Sequence, residues 1–359
     1  MSYHVFLPNY TIGTDAYDKI PEICCRFGKS AVLIGGKTAL SKVQAELEKQ
    51  LAAAGIKISA ILWYGGDCTN ENAQKLLKNP DVINADMIFG IGGGRALDTC
   101  KIVAHTLKKN LFTIPTIAST CAAATAISVT YHADGRFDGI HFSKVSAEHI
   151  FISTQIIAEA PDTYLWAGIG DTLAKHYEAT ISTRSLNLAH SDALGISISP
   201  LCAEPLLTYG EQAMLDCKKN ETSYALEQVI LSVIISTGLV SLLLTRQEYN
   251  TGLAHAIYFG HVALAKHPET HLHGEIVSYG VLVLLMMDGQ KDALSRVYSF
   301  AKSIHLPTCL KDLDVITPKE IDTVIRTAAS MPDVQDVWPY PVSEEMVRNA
   351  VMALETYQP

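Results

Sequence analysis

The feature that most constrains the fold is a regular alternation, over the first 155 residues, of short apolar runs with amphipathic runs. The apolar runs predict buried strands at 30–36, 57–66, 85–94, 110–116 and 148–153. The amphipathic runs predict helices at 37–55, 70–80 and 95–108, and a hairpin turn is expected at 132–139. Strands that alternate with helices in this way are typical of βαβ units. We therefore predict an α/β fold with a mostly parallel sheet.

Strand patterns fade beyond residue 157, and helical patterns continue from there to the C-terminus. A chain of 359 residues also exceeds the roughly 250–300 residues at which a single hydrophobic core usually stops growing. We therefore expect two domains, a Rossmann-like α/β domain over 1–157 and an all-α domain over 158–359.

Composition and charge limit the class of partner. The net charge of −9 argues against nucleic acid and anionic membranes, because no basic field would attract them. The eight cysteines show no CxxC spacing, which favours reduced thiols over a disulfide or metal framework. The first ten residues, MSYHVFLPNY, lack the pattern of a signal peptide. We expect a cytoplasmic protein that binds a small molecule.

One apolar run tests the expectation of a cytoplasmic protein, because residues 229–245 carry no charge and could be taken for a membrane span. The run is shorter than the ~20 apolar residues that a membrane-spanning helix needs, and it includes serine, threonine and glycine. It therefore predicts a helix that is buried on all sides rather than a membrane span.

A glycine-rich turn, GIGGG at 90–94, follows a predicted strand and precedes a helix that starts near Arg95. Glycines at such a turn let backbone N–H groups and a helix N-terminus approach a phosphate. The segment lacks the full GxGxxG pattern of dinucleotide sites, so a phosphate site and a plain tight turn both remain open. Asp98, in the same helix, either interacts favourably with the helix dipole or forms a hydrogen bond to a ribose or to the glycine turn.

Three polar residues interrupt the apolar pattern of the helical half. Asp171 opens the segment DTLAKHYEA, which predicts a helix N-cap, His255 lies in TGLAHAIYFG, and His273 lies in THLHGEIVSYG. One carboxylate and two imidazoles form a ligand set that suits Zn²⁺ or Fe²⁺. Spacing alone does not select them, because an N-cap acid and a core histidine are both common. The segment also contains His261, His267 and His271.

Five segments, taken in chain order, resemble a single family: GIGGGRALDTCK, IPTIASTCAAATAISVTY, AGIGDTLAKHYEA, GLAHAIYFG and LHGEIVSYG. They resemble the glycerol-dehydrogenase-like branch of the iron-containing alcohol dehydrogenase superfamily, and most of all its hydroxycarboxylate dehydrogenases. The resemblance implies a dinucleotide-binding α/β domain followed by a helical metal-binding and substrate domain, an architecture shared with dehydroquinate synthase. It also implies a homo-oligomer.

The resemblance assigns residues to three parts of a site. It implies that a divalent metal is bound by Asp171, His255 and His273. It implies that the pyrophosphate of NAD or NADP lies against Gly93, Gly94 and Arg95, with Asp98 supporting the glycine turn. It also implies that the nicotinamide end is lined by Thr116, Ser119, Thr125, Ile127 and Tyr131.

Two departures from the family pattern concern the metal. Lys175 stands where iron-dependent members place a histidine one turn after Asp171, and His176, about 140° further round the helix, does not replace it. Tyr258 stands where glycerol dehydrogenases carry a second histidine. We therefore expect a three-ligand site that prefers zinc to iron. Candidates to hold a substrate carboxylate, although each is expected to be a solvated surface group, are Lys175, His176, Lys266 and His267.

The substrate preference is read from Cys121, which stands where glycerol dehydrogenases carry an aspartate that contacts the polyol. A thiol there weakens the binding of vicinal hydroxyls and removes a repulsion against a carboxylate. Without an evident base partner, we expect this thiol to line the pocket rather than to act as a nucleophile. The favoured reaction is hydride transfer between the nicotinamide and a 2-oxo or 2-hydroxy acid whose oxygen the metal polarises.

Three alternatives to this reaction remain. The first is a glycerol or other polyol dehydrogenase. The second is a non-redox lyase of the dehydroquinate-synthase type, which uses NAD and zinc without net hydride transfer. The third is a ligand-binding protein without catalytic activity. A net change of nicotinamide absorbance on adding substrate would separate a dehydrogenase from the last two.

The choice between the two nicotinamide cofactors rests on Gly36 and Lys37, which follow the strand predicted at 30–36. Many family members carry an acid at this point that binds the adenosine ribose. Its loss removes a repulsion against a 2′-phosphate, and a lysine would attract one. We therefore expect NADP(H) to be used at least as readily as NAD(H).

Overall fold

A computed structural model of the protein describes residues 5–143, 146–264 and 270–358. The described chain forms two compact units. One unit lies within Met1–Pro161 together with Asp216–Ile230, and the other lies within Asp162–Leu215 together with Leu231–Pro359. The domain boundary at residue 157 remains a prediction.

The first part of the chain alternates between strands and helices. Its elements are β1 (Tyr10–Gly13), α1 (Ile20–Cys24), β2 (Ser30–Gly35), α2 (Lys37–Ala53), β3 (Lys57–Trp63), α3 (Asn70–Leu77), α4 (Pro80–Asn84), β4 (Met87–Gly92), α5 (Gly94–Leu107), β5 (Asn110–Pro115), β6 (Ile127–Tyr131), β7 (Phe137–Phe142), β8 (His149–Ser153) and α6 (Thr154–Ala158).

Among the described residues, six of these strands form a parallel sheet in the order β1-β8-β5-β4-β2-β3, and β6 and β7 form a separate antiparallel pair. Every residue of β4 and β8 is buried, as expected for central strands covered by helices on both faces. The predicted α/β fold is confirmed, and the hairpin turn predicted at 132–139 connects β6 to β7. The sequence did not predict β1, whose four residues are too few to show a periodic pattern.

Two apolar layers cover the two faces of the sheet because successive side chains of a strand point in opposite directions. In β2, Leu33 joins a cluster that contains Phe89 and residues of α2, whereas Val32 and Ile34 join a cluster that contains Val103 of α5. All of these side chains are buried. The helices on either side of the sheet are therefore held by a continuous run of apolar residues, which explains why the strands read as buried apolar runs in the sequence.

The chain direction reverses across the sheet between β2 and β4. From β2 the chain continues outward to β3, and from β4 it continues to β5 on the other side. Such a switch point leaves a crevice at the carboxyl ends of the two strands, where open α/β sheets bind their ligands. The strands are close there, since a Cβ on Gly35 would lie 2.4 Å from the carbonyl oxygen of Ile91.

From residue 162 onward, every regular element in the described part of the chain is helical. The elements are α7 (Asp162–Ser182), α8 (His190–Ile198), α9 (Glu204–Lys218), α10 (Tyr224–Leu231), α11 (Thr237–Leu243), α12 (Leu253–Val262), α13 (His273–Met287), α14 (Lys291–Ser303), α15 (Pro318–Ser330), α16 (Pro332–Gln335) and α17 (Glu344–Leu354). A π-helical segment, Ser232–Ser236, connects α10 to α11.

Glycines let α13 approach two neighbouring helices closely. A Cβ on Gly274 would lie 1.8 Å from the carbonyl oxygen of Ala167 in α7, and a Cβ on Gly170 would lie 2.3 Å from the carbonyl oxygen of Gly274. Further along α13, a Cβ on Gly280 would lie 2.5 Å from the carbonyl oxygen of Ala254 in α12. Real Cβ atoms do not tolerate such distances, so the backbone contacts among these three helices require glycine.

The helical run Tyr224–Leu243 is long and apolar enough to cross a membrane by length and composition, with a mean hydropathy of 1.9 over its most apolar 18 residues. In the structure, 61% of its most apolar window is buried, and Val233 and Ile234 are inaccessible to solvent. A core helix of a soluble protein passes the same test of length and composition. The sequence predicts a helix at 229–245 that is buried on all sides. The structure shows a helical run that is mostly, but not completely, buried.

All eight cysteines lie in the described part of the chain, and none of them forms a disulfide. Cys68 and Cys100 are buried in the core on one face of the sheet, and burial raises the pKa of the Cys68 thiol to about 12. These two thiols serve as small apolar side chains. Cys121 is half-buried.

The contact between α7 and α13 generates a prediction about stability. Gly274→Ala adds a methyl group against backbone atoms that have no room to move, so we expect a loss of about 1–3 kcal/mol in the free energy of unfolding. The measurement is urea-induced unfolding followed by circular dichroism. Gly139→Ala in β7 is the control, because its methyl group would lie at an ordinary distance of 3.8 Å from Thr130 Oγ1. Equal midpoints for the two variants would contradict the close contact.

Candidate functional site

Asp171 lies in the interior of α7, nine residues after the helix begins at Asp162. The prediction that Asp171 is a helix N-cap is therefore wrong. The glycines of AGIG suggested a helix start because glycine disfavours helix interiors. Here Gly170 belongs to the helix and is needed for the contact with α13. Asp171 consequently projects from a rigid helix instead of a flexible helix end.

The structure brings the three predicted metal ligands together. His255 lies in the first turn of α12, and His273 is the first residue of α13, the loop-to-helix position that the sequence predicts. Asp171 Oδ1 lies 3.5 Å from His255 Nε2 and 3.2 Å from His273 Nε2. One ligand atom from each residue lies within 4.8 Å of the other two. These three donor atoms converge on one point from three helices.

A buried carboxylate, Glu178, holds His255 in place. Glu178 Oε2 lies 2.7 Å from His255 Nδ1, and Glu178 Oε1 accepts a hydrogen bond of 3.0 Å from the His255 backbone N–H. The second bond satisfies a backbone donor at the start of α12. The first bond holds a proton on Nδ1, so that Nε2 is the nitrogen directed toward Asp171.

The sequence analysis did not identify Glu178. It lies seven residues after Asp171, and this spacing places the two acids on the same face of α7, two turns apart. That spacing is the one signal in the sequence that points to Glu178, and it becomes informative once both residues are known to lie in one helix.

The cluster combines buried negative charge with two imidazoles. Burial would raise the pKa of Asp171, but His273 and His255 hold it well below its usual range. Burial would lower the pKa of His255, but the carboxylates of Glu178 and Asp171 raise it to about 10. The site therefore favours positive charge next to Asp171, and that charge is either a proton on an imidazole or a bound cation.

The geometry fits a small divalent metal. Donor atoms at the corners of a tetrahedral zinc site lie about 3.4 Å apart, given zinc–ligand bonds of about 2.1 Å. The distances from Asp171 Oδ1 to the two imidazole nitrogens match that separation. The His273 side chain is 40% exposed, so the site is open to solvent on one side. One oxygen and two nitrogen donors with an open side are typical of catalytic zinc sites.

Two other histidines of the segment, His261 and His271, have partners elsewhere in the same unit. His261 Nε2 lies 3.0 Å from the carbonyl oxygen of Leu313. His271 lies between Glu275 and Asp314, at 2.9 Å and 3.2 Å. His267 and Lys266 lie outside the described residues. Tertiary structure thus distinguishes His255 and His273 from the described alternatives, which spacing in the sequence did not.

Two residues expected to be solvated surface groups are not. Lys175 is buried, and its Nζ donates hydrogen bonds of 3.0 Å to the backbone oxygen and to Oδ1 of Asn250. His176 is partly buried, and its Nδ1 lies 2.9 Å from Ser199 Oγ. Both residues face inward because other helices surround α7 along most of its length, and most residues of this helix are therefore buried.

The glycine turn lies at the switch point of the sheet. Gly92 has a φ of +140°, Gly93 is the N-cap of α5, and Gly94 is its first residue. A Cβ on Gly93 would lie 2.5 Å from Ile117 Cδ1, so glycine at this position also makes room for the loop that follows β5. The first backbone N–H groups of α5 have no acceptor within the helix and are available to an anion.

Gly36 and Lys37 lie beside this turn. The Gly36 N–H donates to the carbonyl oxygen of Ile91 at 3.3 Å, and a Cβ on Gly92 would lie 3.8 Å from Gly36 N. Lys37 begins α2, and its Nζ lies 4.8 Å from the centre of the Trp63 ring. The structure thus brings both sequence-predicted cofactor segments to one edge of the sheet, as the switch-point rule predicts.

Arg95 has two partners within its own unit. Its guanidinium forms an ion pair of 3.0 Å with Asp67 and lies 4.9 Å from the centre of the Tyr131 ring. Arg95, which the resemblance assigns to the pyrophosphate, and Tyr131, which it assigns to the nicotinamide end, are therefore neighbours. The side chain of Arg95 is 56% exposed, so it remains accessible to a phosphate.

Asp98 does not support the glycine turn, and this expectation is wrong. It is the fifth residue of α5, past the first turn, and it is buried. Its Oδ1 lies 2.8 Å from Lys101 Nζ, and its Oδ2 accepts a hydrogen bond of 2.9 Å from the Val129 N–H. Burial raises the pKa of Asp98, whereas Lys101 lowers it. The carboxylate is directed toward β6 because its charge partner lies one turn further along α5, away from the glycines.

The remaining predicted cofactor residues lie in or beside the segment that joins β5 to β6. The Thr116 N–H donates to the Gly92 carbonyl oxygen at 3.2 Å, which places the start of this segment against the glycine turn. Thr125 is buried, whereas Ile127 is exposed at the start of β6. Ser119 and Cys121 are half-buried. Their roles toward a cofactor or substrate remain predictions.

Comparisons with known proteins show which family the chain resembles in sequence. Residues 8–154 match the family model described as iron-containing alcohol dehydrogenase. The chain is 30% identical to a glycerol dehydrogenase of Thermotoga maritima, over 98% of this chain and 96% of that protein. It is 33% identical to hydroxycarboxylate dehydrogenase A of Escherichia coli, over 91% of this chain and 90% of that protein.

The fold comparison leads to the same family. The crystal structure of glycerol dehydrogenase from Schizosaccharomyces pombe superimposes with a TM-score of 0.87 at 26% identity, covering 99% of this chain and 91% of that one. The resemblance described from the sequence is confirmed, and the polyol alternative is supported at least as well as the 2-oxo acid. The chain belongs to the iron-containing alcohol dehydrogenase family of oxidoreductases.

Proposed function

We propose that the protein is a metal-dependent NAD(P)(H) dehydrogenase that interconverts a small alcohol and its carbonyl compound. The observation that carries this proposal is the convergence of Asp171, His255 and His273 at zinc-like distances. The family membership supports hydride-transfer chemistry over the non-redox lyase and over a protein without activity.

The metal would be held by Asp171 Oδ1 and by the Nε2 atoms of His255 and His273. A divalent metal at this site supplies a Lewis acid that polarises the substrate oxygen. Glu178 keeps the proton of His255 on Nδ1, so that Nε2 stays a donor toward the cation. Tyr258 packs edge-on against the His273 ring, with 4.3 Å between ring centres, and limits the rotation of that imidazole.

The nicotinamide cofactor would be held at the switch point of the parallel sheet and supplies or accepts the hydride. The backbone at Gly93 and Gly94 offers N–H groups to the pyrophosphate, and the exposed guanidinium of Arg95 adds a charge nearby. Lys37 lies next to this turn, where it would meet the adenosine ribose or a 2′-phosphate on it.

For the substrate, we propose a small polyol of the glycerol type and its hydroxyketone, because glycerol dehydrogenases predominate among the relatives. A 2-oxo acid is the second candidate. Cys121 favours this candidate, because it stands where glycerol dehydrogenases carry an aspartate and a thiol does not repel a substrate carboxylate. The 2-oxo acid is also favoured by Lys175, a buried ammonium one turn after Asp171.

Lys175 supports an anionic substrate through its surroundings. Its Nζ donates to two neutral oxygens of Asn250, and no carboxylate of the described residues lies within ion-pair distance of it. A buried cation without a countercharge is costly, and a substrate carboxylate would supply that countercharge. Asn250 accepts two of the three N–H donors, so one donor remains for a ligand.

The metal site predicts the behaviour of one isosteric variant. Asp171→Asn removes the anionic donor, so we expect bound zinc to fall on the order of 100-fold in affinity, with a parallel loss of activity. Metal content is measured by mass spectrometry of the purified protein, and activity by nicotinamide absorbance. Glu211→Gln, at an exposed position of α9, is the control for loss of one negative charge. Retention of full metal content in Asp171→Asn would contradict the ligand assignment.

The surroundings of Lys37 predict the cofactor preference. We expect initial rates with NADPH at least equal to those with NADH. Lys37→Glu should lower the NADPH-to-NADH ratio of kcat/KM by about fivefold or more, because a like charge would then face the 2′-phosphate. Lys57→Glu, at the amino end of β3, is the matched control. A strong preference of the unaltered enzyme for NADH would refute the expectation.

The two substrate classes predict different responses of one variant. If the natural substrate is a 2-oxo acid, Lys175→Met should lower kcat/KM for the acid relative to that for dihydroxyacetone by about 10–100-fold, because a charge-assisted hydrogen bond is lost. Rates are followed by the net change in nicotinamide absorbance. An unchanged ratio, with both rates reduced alike, would assign Lys175 a structural role through Asn250 and favour the polyol.

A further inference from the structure

Helix α5 contains a buried ion pair that the proposed function does not use. The Lys101 side chain is 1% exposed and the Asp98 side chain is 10% exposed, with 2.8 Å between Nζ and Oδ1. The two residues lie one turn apart on α5, after the glycine turn. Burying two charges in a domain core is costly, and apolar residues of similar volume often replace such a pair without loss of stability. Core packing alone therefore does not account for it.

The pair contacts the segment 121–129, which leads from β5 into β6. Lys101 Nζ donates to the backbone oxygen of Ala122 at 2.8 Å and to that of Thr125 at 3.3 Å, and it also donates to the backbone oxygen of Ile127. Asp98 Oδ2 accepts from the Val129 N–H at 2.9 Å. One ammonium and one carboxylate thus bind backbone groups at four positions of this segment.

The end of the segment pairs with β7 from Ile127 onward, and the Ala126 carbonyl oxygen accepts from the Ser143 N–H, whereas the part before Ala126 has mainly local backbone contacts. The N–H groups of Ala124 and Thr125 both bond to the carbonyl oxygen of Cys121, and the Ala123 carbonyl oxygen accepts from Thr113 Oγ1. The carbonyl oxygens bound by Lys101 are the ones that the local turn does not use. Without the ammonium these buried or partly buried carbonyl oxygens would lose a charge-assisted hydrogen bond, which disfavours this backbone conformation.

We propose that Lys101 and Asp98 are positioning residues that hold the segment 121–129 in the conformation required to bind the nicotinamide end of the cofactor. The inference rests on the proposed function, because it assumes that this segment contacts the nicotinamide. Helix α5 presents its first turn to the pyrophosphate and carries Lys101 seven residues later, roughly 10 Å along the helix axis. One rigid helix thus sets the spacing between the phosphate end of the site and the nicotinamide segment.

The test compares two ligands that differ in the nicotinamide. NADH carries it, whereas ADP-ribose contains the same adenosine and pyrophosphate without it. Dissociation constants are measured by calorimetry on the full-length Lys101→Met protein, without substrate. We expect the affinity for NADH to fall about tenfold or more and the affinity for ADP-ribose to change less than about twofold, because only the nicotinamide segment loses its support. Hydrogen exchange of the amides of 121–129 should become faster.

Val103→Ala is the matched control. Val103 lies on α5 two residues after Lys101 and is fully buried. It belongs to an apolar cluster with residues of the sheet, and that cluster includes no residue of the segment 121–129. The variant lowers stability through a cavity, so it should affect the two ligands equally. If Lys101→Met does not fold, Asp98→Asn is measured in the same way, since it removes the countercharge and keeps the size of the side chain.

Each outcome decides the inference. A selective loss of NADH affinity in Lys101→Met or Asp98→Asn supports it. An equal loss for both ligands, or a lower melting temperature with both affinities unchanged, overturns it and makes the pair purely structural. If the unaltered protein binds none of NADH, NADPH and ADP-ribose, the proposed function fails, and the inference fails with it.

Discussion

The candidate metal centre depends on the close approach of α13 to α7 and α12. Helices in globular proteins usually pack with their axes about 8–10 Å apart, with side chains between them. Asp171 has a short side chain, so its carboxylate reaches His273 because Gly170 and Gly274 let the two backbones touch. Gly280 allows the same approach to α12, which carries His255. The donor set is therefore a consequence of backbone packing, and three rigid helices hold it.

Each unit contains buried charged groups that bind backbone atoms nearby. Glu178 orients His255 and also satisfies a free N–H at the start of α12, so one buried carboxylate joins helix capping to ligand geometry. Lys101 and Asp98 organise the segment after β5 in a comparable way. Since a buried charge is stable only when it is hydrogen-bonded and paired, each such group restricts the conformations of the backbone around it. In the proposed function, these restrictions would hold the metal ligands and the cofactor segment in place before the substrate binds.

The fold was largely predictable, and the site was predictable in part. Apolar runs separated by amphipathic helices gave the strands of the parallel sheet, because buried strands and packed helices leave different periodicities. The glycine turn and the segment at Lys37 were recognised, and the sheet topology brings them to one edge. The interpretation of Asp171 as an N-cap failed because glycine marks helix ends and close helix contacts alike. Lys175 was misjudged because burial of a lysine depends on neighbours distant in sequence.

The amino-acid sequence by itself determined the order of strands and helices, the glycine turn, the family and a set of five candidate histidines beside one acid. These features are local or shared with relatives, so periodicity and motif are sufficient to find them. The resemblance to relatives selected His255 and His273 as partners of Asp171, and tertiary structure showed that the three meet. Tertiary structure alone decided that Glu178 orients the ring of His255 and that Asp98 is paired with Lys101 away from the glycines. Each of these depends on how helices and loops pack, and packing joins residues whose separation along the chain carries no signal.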